Sequence, residues 1–395
     1  MARALILVLL ASQLSAQPEV IRYDVIDLGA VPGWRDYQAW GINNAGQIVG
    51  RVMYNENDPT IGTRAVIFDA NGGGPCILFD KNSGAFAINE SGIIVGQVIE
   101  GKLDPCDQIY YEGSYGFYSD QAGNYVSTNN MGWFACVNNS GIAAGAQDEV
   151  VASIFRYPGQ AYASFLFPDC YSSDAYSIND YNTIAGVAYM GSHSWDTIYN
   201  NCRAMLGREN GEVVELGTLG GLYSLALAIN NLDQVVGIAD MADGNSFATL
   251  FSPQGTEFNR NLGTIEEYQS SCAMAINEKS EIVGFASFSV PFQTESVAVK
   301  FDSTGFKKNI DLNTRIDPLL GWQLWRATGI NDKGWIIGDG SHNGLMRAFL
   351  LKPAVICTEP LVGDTNNDCQ VNFEDLGNIV ENWLTCTKSP QSECF

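Results

Sequence analysis

The sequence predicts an all-β chain: a seven-bladed β-propeller closed by its N-terminal strand, followed by a small C-terminal calcium-loop and helix module. A ten-residue string returns seven times without gaps, as GINNAGQIVG (41 to 50), AINESGIIVG (87 to 96), CVNNSGIAAG (136 to 145), SINDYNTIAG (177 to 186), AINNLDQVVG (228 to 237), AINEKSEIVG (275 to 284) and GINDKGWIIG (329 to 338). Its copies recur every 41 to 54 residues, a period that holds four short strands, as in a propeller blade. The two ends of the array are complementary. After RAFLLK (347 to 352) the last repeat lacks a fourth strand, while IRYDVIDLG (21 to 29) stands alone at the start. Pairing them joins the first and last blades and removes the open sheet edges.

Each column of the repeat has a physical reading. Gly41, Ala87, Cys136, Ser177, Ala228, Ala275 and Gly329 are all small, as a strand crowded by a neighbour requires. The next column is Ile in six copies and Val137 in the other, β-branched residues suited to a buried strand. An Asn follows in every copy, at 43, 89, 138, 179, 230, 277 and 331, where it would hydrogen-bond its own turn. Three residues further on stand Gly46, Gly92, Gly141, Asn182, Asp233, Ser280 and Gly334, mostly residue types that tolerate positive φ. A second apolar run then ends in a Gly present in all seven copies.

The third strand is read as RAVIFD, YGFYSD, VASIFR, RAMLGR, FATLFS, VAVKFD and RAFLLK. The fourth is clearest in EVVELGTLGG (212 to 221), EFNRNLGT (257 to 264) and KKNIDLNT (307 to 314). Ahead of the array, the apolar run ALILVLLA (4 to 11) within residues 1 to 16 reads as a secretory signal peptide, with Gln17 opening the mature chain. The propeller then spans 17 to 353 and the tail 354 to 395. Outside the cytoplasm, ten cysteines are compatible with disulfides. A net charge of −23 repels phosphate backbones and anionic lipid, and no basic cluster offsets it. Nucleic acid is therefore not an expected partner, and no later apolar run has the length of a transmembrane segment.

Over about residues 21 to 352 the repeat resembles the extracellular HAF-repeat family, whose units read as alanine with Ile-Asn, a Gly-containing turn, Val-Gly, an Ala-Phe strand and a Leu-Gly strand. The resemblance implies a secreted, propeller-like module without agreed catalytic residues. The histidine that names the family is replaced before the third strand by Arg64, Arg203 and Arg347 in three copies.

In the tail, Asp364, Asn366, Asp368, Gln370, Asn372 and Asp375 fall at positions 1, 3, 5, 7, 9 and 12 of a calcium loop, an alternation that wraps oxygen atoms around one hard cation. Phe373, Leu376, Val380, Trp383 and Leu384 follow at helical spacing. This segment resembles one half of a dockerin, the calcium-dependent plug of cohesin domains, and so implies Ca2+ and a cohesin-like receptor. Cys357, Cys369, Cys386 and Cys394 predict two disulfides that replace a core in so small a module; their connectivity is open among three pairings.

No HExxH, GxSxG, Walker or dinucleotide motif occurs, and His193 and His342, the only histidines, read as loop residues. The segments joining each fourth strand to the next Ile-Asn strand should cross one rim of the ring. They carry Trp34, Tyr37, Trp133, Tyr171, Tyr223, Tyr268, Trp322 and Trp325, whose faces could stack on sugars or on a peptide, with packing between blades as the competing role. The expected function is non-catalytic binding of an extracellular glycan or surface protein, with the tail for attachment or complex assembly. The alternatives are a polysaccharide-cleaving enzyme whose carboxylate pair is close only in space and a surface scaffold.

Overall fold

Each copy of the repeated string folds as the end of one strand, a tight turn and the start of the next. The computed structural model describes residues 22–55, 62–103, 110–128, 132–147, 151–156, 160–165, 170–190, 201–288, 296–306 and 309–354. All seven turns lie within them. The column expected to take positive φ does so in every copy, with Gly46 at 83°, Gly92 at 80°, Gly141 at 75°, Asn182 at 59°, Asp233 at 55°, Ser280 at 61° and Gly334 at 75°. The preceding Asn holds the turn, its Oδ1 accepting the N–H four residues on at 2.9 to 3.0 Å in all seven copies.

The strands assemble into seven four-stranded sheets. The first blade consists of Trp34–Ile42, Ile48–Asn55, Arg64–Phe68 and Cys76–Ile77, paired in sequence order. The inner strands of blades two to six are Ser83–Ile88, Gly132–Val137, Cys170–Ile178, Gly220–Ile229 and Ser270–Ile276. Blade seven is built from Trp322–Ile330, Ile336–His342 and Leu345–Ala354, and its outer strand is Arg22–Asp27 from the opposite end of the array. The predicted closure is thus the observed one. Inner strands of neighbouring blades lie against one another right round the ring, including blade seven against blade one. Residues Asp24–Lys352 form one compact unit.

The small column and the invariant glycine have steric causes. A Cβ on Gly41 would press on the backbone of Ala87 in the next inner strand. Every inner strand carries a bulge just before the Ile-Asn pair, between Ala39 and Gly41 in blade one and Ala175 and Ser177 in blade four, for example. Opposite each bulge, a Cβ on Gly50, Gly96, Gly145, Gly186, Gly237, Gly284 or Gly338 would overlap a carbonyl oxygen of the inner strand. Only glycine fits there. The core lies between blade faces, as where Ala39, Ile48 and Val66 of blade one meet Ile337, Ala348 and Leu350 of blade seven.

The asparagines also join the blades, which their local role does not reveal. Asn43 Nδ2 donates to the carbonyl of Asn89, Asn89 to Asn138, and so on through Asn179, Asn230, Asn277 and Asn331, which donates back to Asn43, at 2.9 to 3.3 Å. A second circuit runs one residue later. The N–H of Asn44, Glu90, Asn139, Asp180, Asn231, Glu278 and Asp332 each donates to a side-chain oxygen of the same column in the next blade. Acids and asparagines alternate around this circuit, and an odd number of blades forces one break, at Glu278 and Asp332. Desolvation, with Asp332 and Asp180 nearby, raises the Glu278 carboxyl above its ordinary range, although it accepts the Asn231 N–H.

Asn230→Ala removes a buried donor and the one oxygen that accepts two turn N–H groups, and leaves the Asn277 carbonyl and those two N–H groups without these partners. It is expected to cost about 2 to 3 kcal/mol in urea unfolding. The raised Glu278 carboxyl makes the native state hold that proton to higher pH than the unfolded chain does. Its contribution to stability is therefore lost as pH rises from the unfolded carboxylate value through the native one. Urea midpoints measured across that range should show Glu278→Gln gaining on the parent protein as pH rises.

Candidate functional site

The eight aromatics expected on rim segments divide by environment. Only Tyr268 lies in such a segment; the other seven belong to inner strands, which begin earlier than the repeat implies because their pairing with the second strand extends beyond it. Tyr37 is fully buried, and its hydroxyl accepts from Val31 N–H and donates toward the carbonyls of Val31 and Trp34. It packs the fold and offers no face. Trp34 is half-buried with the Arg64 guanidinium 5.6 Å from its ring. Trp133 belongs to an arc along four inner strands, Trp40 to Phe86 at 4.9 Å, Phe86 to Trp133 at 6.2 Å and Trp133 to Tyr176 at 6.1 Å. Tyr171 is exposed. Tyr223 is half-buried against the cluster of Ile238, Cys272 and Phe285, and burial pushes its hydroxyl up.

Tyr268, Trp322 and Trp325 come together. They line a cleft of about 530 Å³ between blades six and seven, with Phe288, Asp311 and Gln323. Tyr268 packs on Phe288 with ring centroids 4.7 Å apart. The floor is rigid for local reasons. Asp311 caps the 3₁₀ turn Leu312–Arg315 by accepting from Asn313 N–H at 2.8 Å and Nδ2 at 3.0 Å. Asn313 in turn exchanges two hydrogen bonds with the Leu324 backbone, 2.7 and 3.0 Å long, and so ties the edge of blade six to the inner strand of blade seven.

The blade that bears the cleft departs from a serine shared by four of the others. Six residues before the invariant Asn, blades two, four, five and six carry Ser83, Ser173, Ser224 and Ser271. Their hydroxyls accept from Ala65, Ala152, Ala204 and Ala248 N–H in the third strand of the preceding blade at 2.9 to 3.1 Å. In blade seven this position is Trp325, so the serine bridge is absent from the joint where the cleft lies. Aligning that column of the sequence marks Trp325, with Tyr37 and Gly132, as the copies that lack the serine; Phe288, Asp311 and Gln323 have no comparable signal.

His342 is not in a loop. It ends the strand Ile336–His342, stacks on Trp322 with centroids 4.5 Å apart and planes 6° apart, and places Nδ1 2.6 Å from Asp27 Oδ2. His193 lies outside the described residues. A second cleft, of about 450 Å³, is floored by Ser91, Gly92, Ser140 and Gly141 between blades two and three. The tyrosines at its side serve the fold, Tyr118 donating to the Phe155 carbonyl and Tyr125 to Glu100 while stacked on Phe79.

Among the described residues no group of three His, Cys, Asp or Glu side chains could hold a metal. Asp364, Asn366, Asp368, Gln370, Asn372 and Asp375 lie outside them, as do Cys357, Cys369, Cys386 and Cys394. Cys136 and Cys272 are buried thiols, and burial pushes the Cys272 thiol up to about 12, which keeps it protonated and unreactive. No described helix is long and apolar enough to cross a membrane.

No family model and no curated protein matches the chain. Among solved structures, TolB from Acinetobacter baumannii is 11% identical with a TM-score of 0.41, over 77% of this chain and 63% of that one. XC5397 of Xanthomonas campestris, a gluconolactonase, is 10% identical with a TM-score of 0.39, over 84% and 90%. Trypanosoma rangeli sialidase in complex with the inhibitor DANA is 8% identical with a TM-score of 0.38, over 91% and 60%. The chain thus spans less than two thirds of TolB and of the sialidase. The propeller rests on this chain's own strand pairing, and none of these likenesses bears on its activity.

Proposed function

We propose that the protein is a secreted, non-catalytic binding protein whose propeller takes a neutral glycan in the cleft between blades six and seven. One observation carries this reading: Tyr268, Trp322 and Trp325, from two adjacent blades, share one cleft with Asp311 and Gln323. The C–H faces of a pyranose stack on aromatic rings while its hydroxyls take up amide and carboxylate partners. Among the described residues lining the cleft, Asp311 is the single carboxylate, and hydrolysis of a glycoside ordinarily uses two. A net charge of −23 disfavours a polyanionic ligand and so favours a neutral one.

Titration calorimetry with cellohexaose and xylohexaose tests the reading, with new reducing ends assayed in the same samples. Binding without release of reducing ends supports it; release would transfer the site to a hydrolase, and the absence of both would remove the glycan. Trp325→Ser installs the residue that four other blades carry and is expected to weaken binding about tenfold while the thermal midpoint is preserved.

The tail reading rests on the sequence. Its resemblance to half a dockerin, with that of the repeats to HAF-repeat proteins, supports a calcium-binding segment that attaches the propeller to a cohesin-like or other surface receptor. Equilibrium dialysis should find one calcium ion per chain, lost in Asp364→Ala combined with Asp368→Ala.

A further inference from the structure

We propose that Asp311 is a specificity-determining residue of the cleft between blades six and seven, giving a sugar that carries an ammonium group an advantage over its hydroxyl-bearing counterpart. The inference rests on the glycan reading of that cleft and goes beyond it, because the preferred ligand is a cationic amino sugar and no longer a neutral one. Asp311 is half-buried in the outer strand of blade six, where it pairs with Val299. Its Oδ1 is taken up by the cap, accepting from Asn313 N–H and Nδ2. Its Oδ2 takes no hydrogen bond or ion pair among the described residues, so the carboxylate lines the cleft with one oxygen uncommitted.

Among the described residues no basic side chain lines the cleft, and those of the neighbouring elements are engaged elsewhere or kept off it. Lys300 of the third strand of blade six pairs with Ile310, which puts it on the opposite face of the sheet from Asp311, and its Nζ is 2.7 Å from Glu281. Arg326, next to Trp325 in the inner strand of blade seven, is held by Asp339 at 3.0 Å. Arg315 ends the capped turn but does not line the cleft, and it makes no ion pair with Asp311. Asp317, the cap of the following turn Pro318–Leu320, adds a second carboxylate beside Pro318 at the edge of the cleft. The rings act in the same sense. Tyr268, Phe288 and Trp325 line the same space, and aromatic faces attract cations. An ammonium there is drawn by the rings and by Asp311 together, whereas a hydroxyl gains only a neutral donor's hydrogen bond. The net charge of −23 that disfavours a polyanion also favours a cation. An amino sugar meets both demands, stacking its C–H face on a ring while its ammonium donates to Asp311 Oδ2.

Titration calorimetry with cellohexaose and with the β-linked glucosamine hexamer of the same linkage tests the proposal, since the two differ only in a hydroxyl or an amine on the second carbon of each ring. In buffer acidic enough to protonate the amines, the parent protein should bind the glucosamine hexamer about fivefold more tightly, the size of one favourable exposed ion pair. Asp311→Asn keeps an oxygen to cap the turn and should bring the two affinities together by weakening the glucosamine hexamer alone. If that variant does not fold, Asp311→Ser, which also caps a turn without charge, carries the test. Asp243→Asn removes the same charge from an exposed hairpin outside the cleft and should retain the preference. Equal affinities in the parent overturn the proposal, while the binding of cellohexaose leaves the glycan reading standing. A preference retained in Asp311→Asn belongs to the overall charge of the chain and overturns the proposal as well. Binding of the glucosamine hexamer alone, lost in Asp311→Asn, supports the role of Asp311 and removes the neutral ligand. Binding of neither hexamer overturns the preference, and the glycan reading then stands or falls with xylohexaose.

Discussion

Seven asparagine amides, each donating to the backbone carbonyl of the asparagine in the next blade, make a circuit that returns to its starting residue. The donors are buried, and a buried amide without a partner costs about 1 to 3 kcal/mol. In an open array the last amide would lack its partner, so these hydrogen bonds favour closure as a whole. The neighbouring circuit of backbone N–H to side-chain oxygen has the same property. Because each asparagine also holds its own turn, local turn geometry and the relation between blades depend on one side chain. That double duty explains an Asn in every copy, where a site for one ligand would have marked one blade.

Backbone crowding supplies the second constraint. The bulge of each inner strand carries a carbonyl to where the second strand can accept only glycine, and the close approach of inner strands keeps the column before Ile small. These are requirements of geometry with no tolerance for side-chain volume, which is why they recur where surrounding residues drift. Closure is completed by hydrogen-bonded strands: Arg22–Asp27 supplies the outer strand that blade seven cannot make from its own repeat.

Against so regular a scaffold, departures carry the individuality of the protein. Serine bridges join several pairs of blades, and Trp325 stands in place of the serine where blade six meets blade seven. The cleft at that joint is bounded by aromatic rings and by the capped turn at Asp311. The same blade holds the closing strand, so Asp27, His342 and Trp322 connect ring closure to the wall of the cleft through a hydrogen bond and a ring stack.

Strand number, turn positions and the residues at positive φ were legible in the sequence by itself, because each depends on residues a few positions apart and is repeated seven times; the closing strand was legible because the last repeat lacks a fourth strand and a lone strand stands at the opposite end of the array. The aromatic residues were legible as candidates, but their roles were not. Tyr37 is buried beneath its own loop, Trp133 joins an arc across inner strands, and only Tyr268, Trp322 and Trp325 meet. Likewise the turn role of Asn43 could be read locally, whereas its bond to the Asn89 carbonyl joins residues 46 positions apart. His342 looked like a loop residue because its partner, Asp27, lies 315 positions away. Tertiary structure alone decided these features, since contacts between blades depend on how strands stack around the ring, and no local spacing encodes which side chains that stacking brings together.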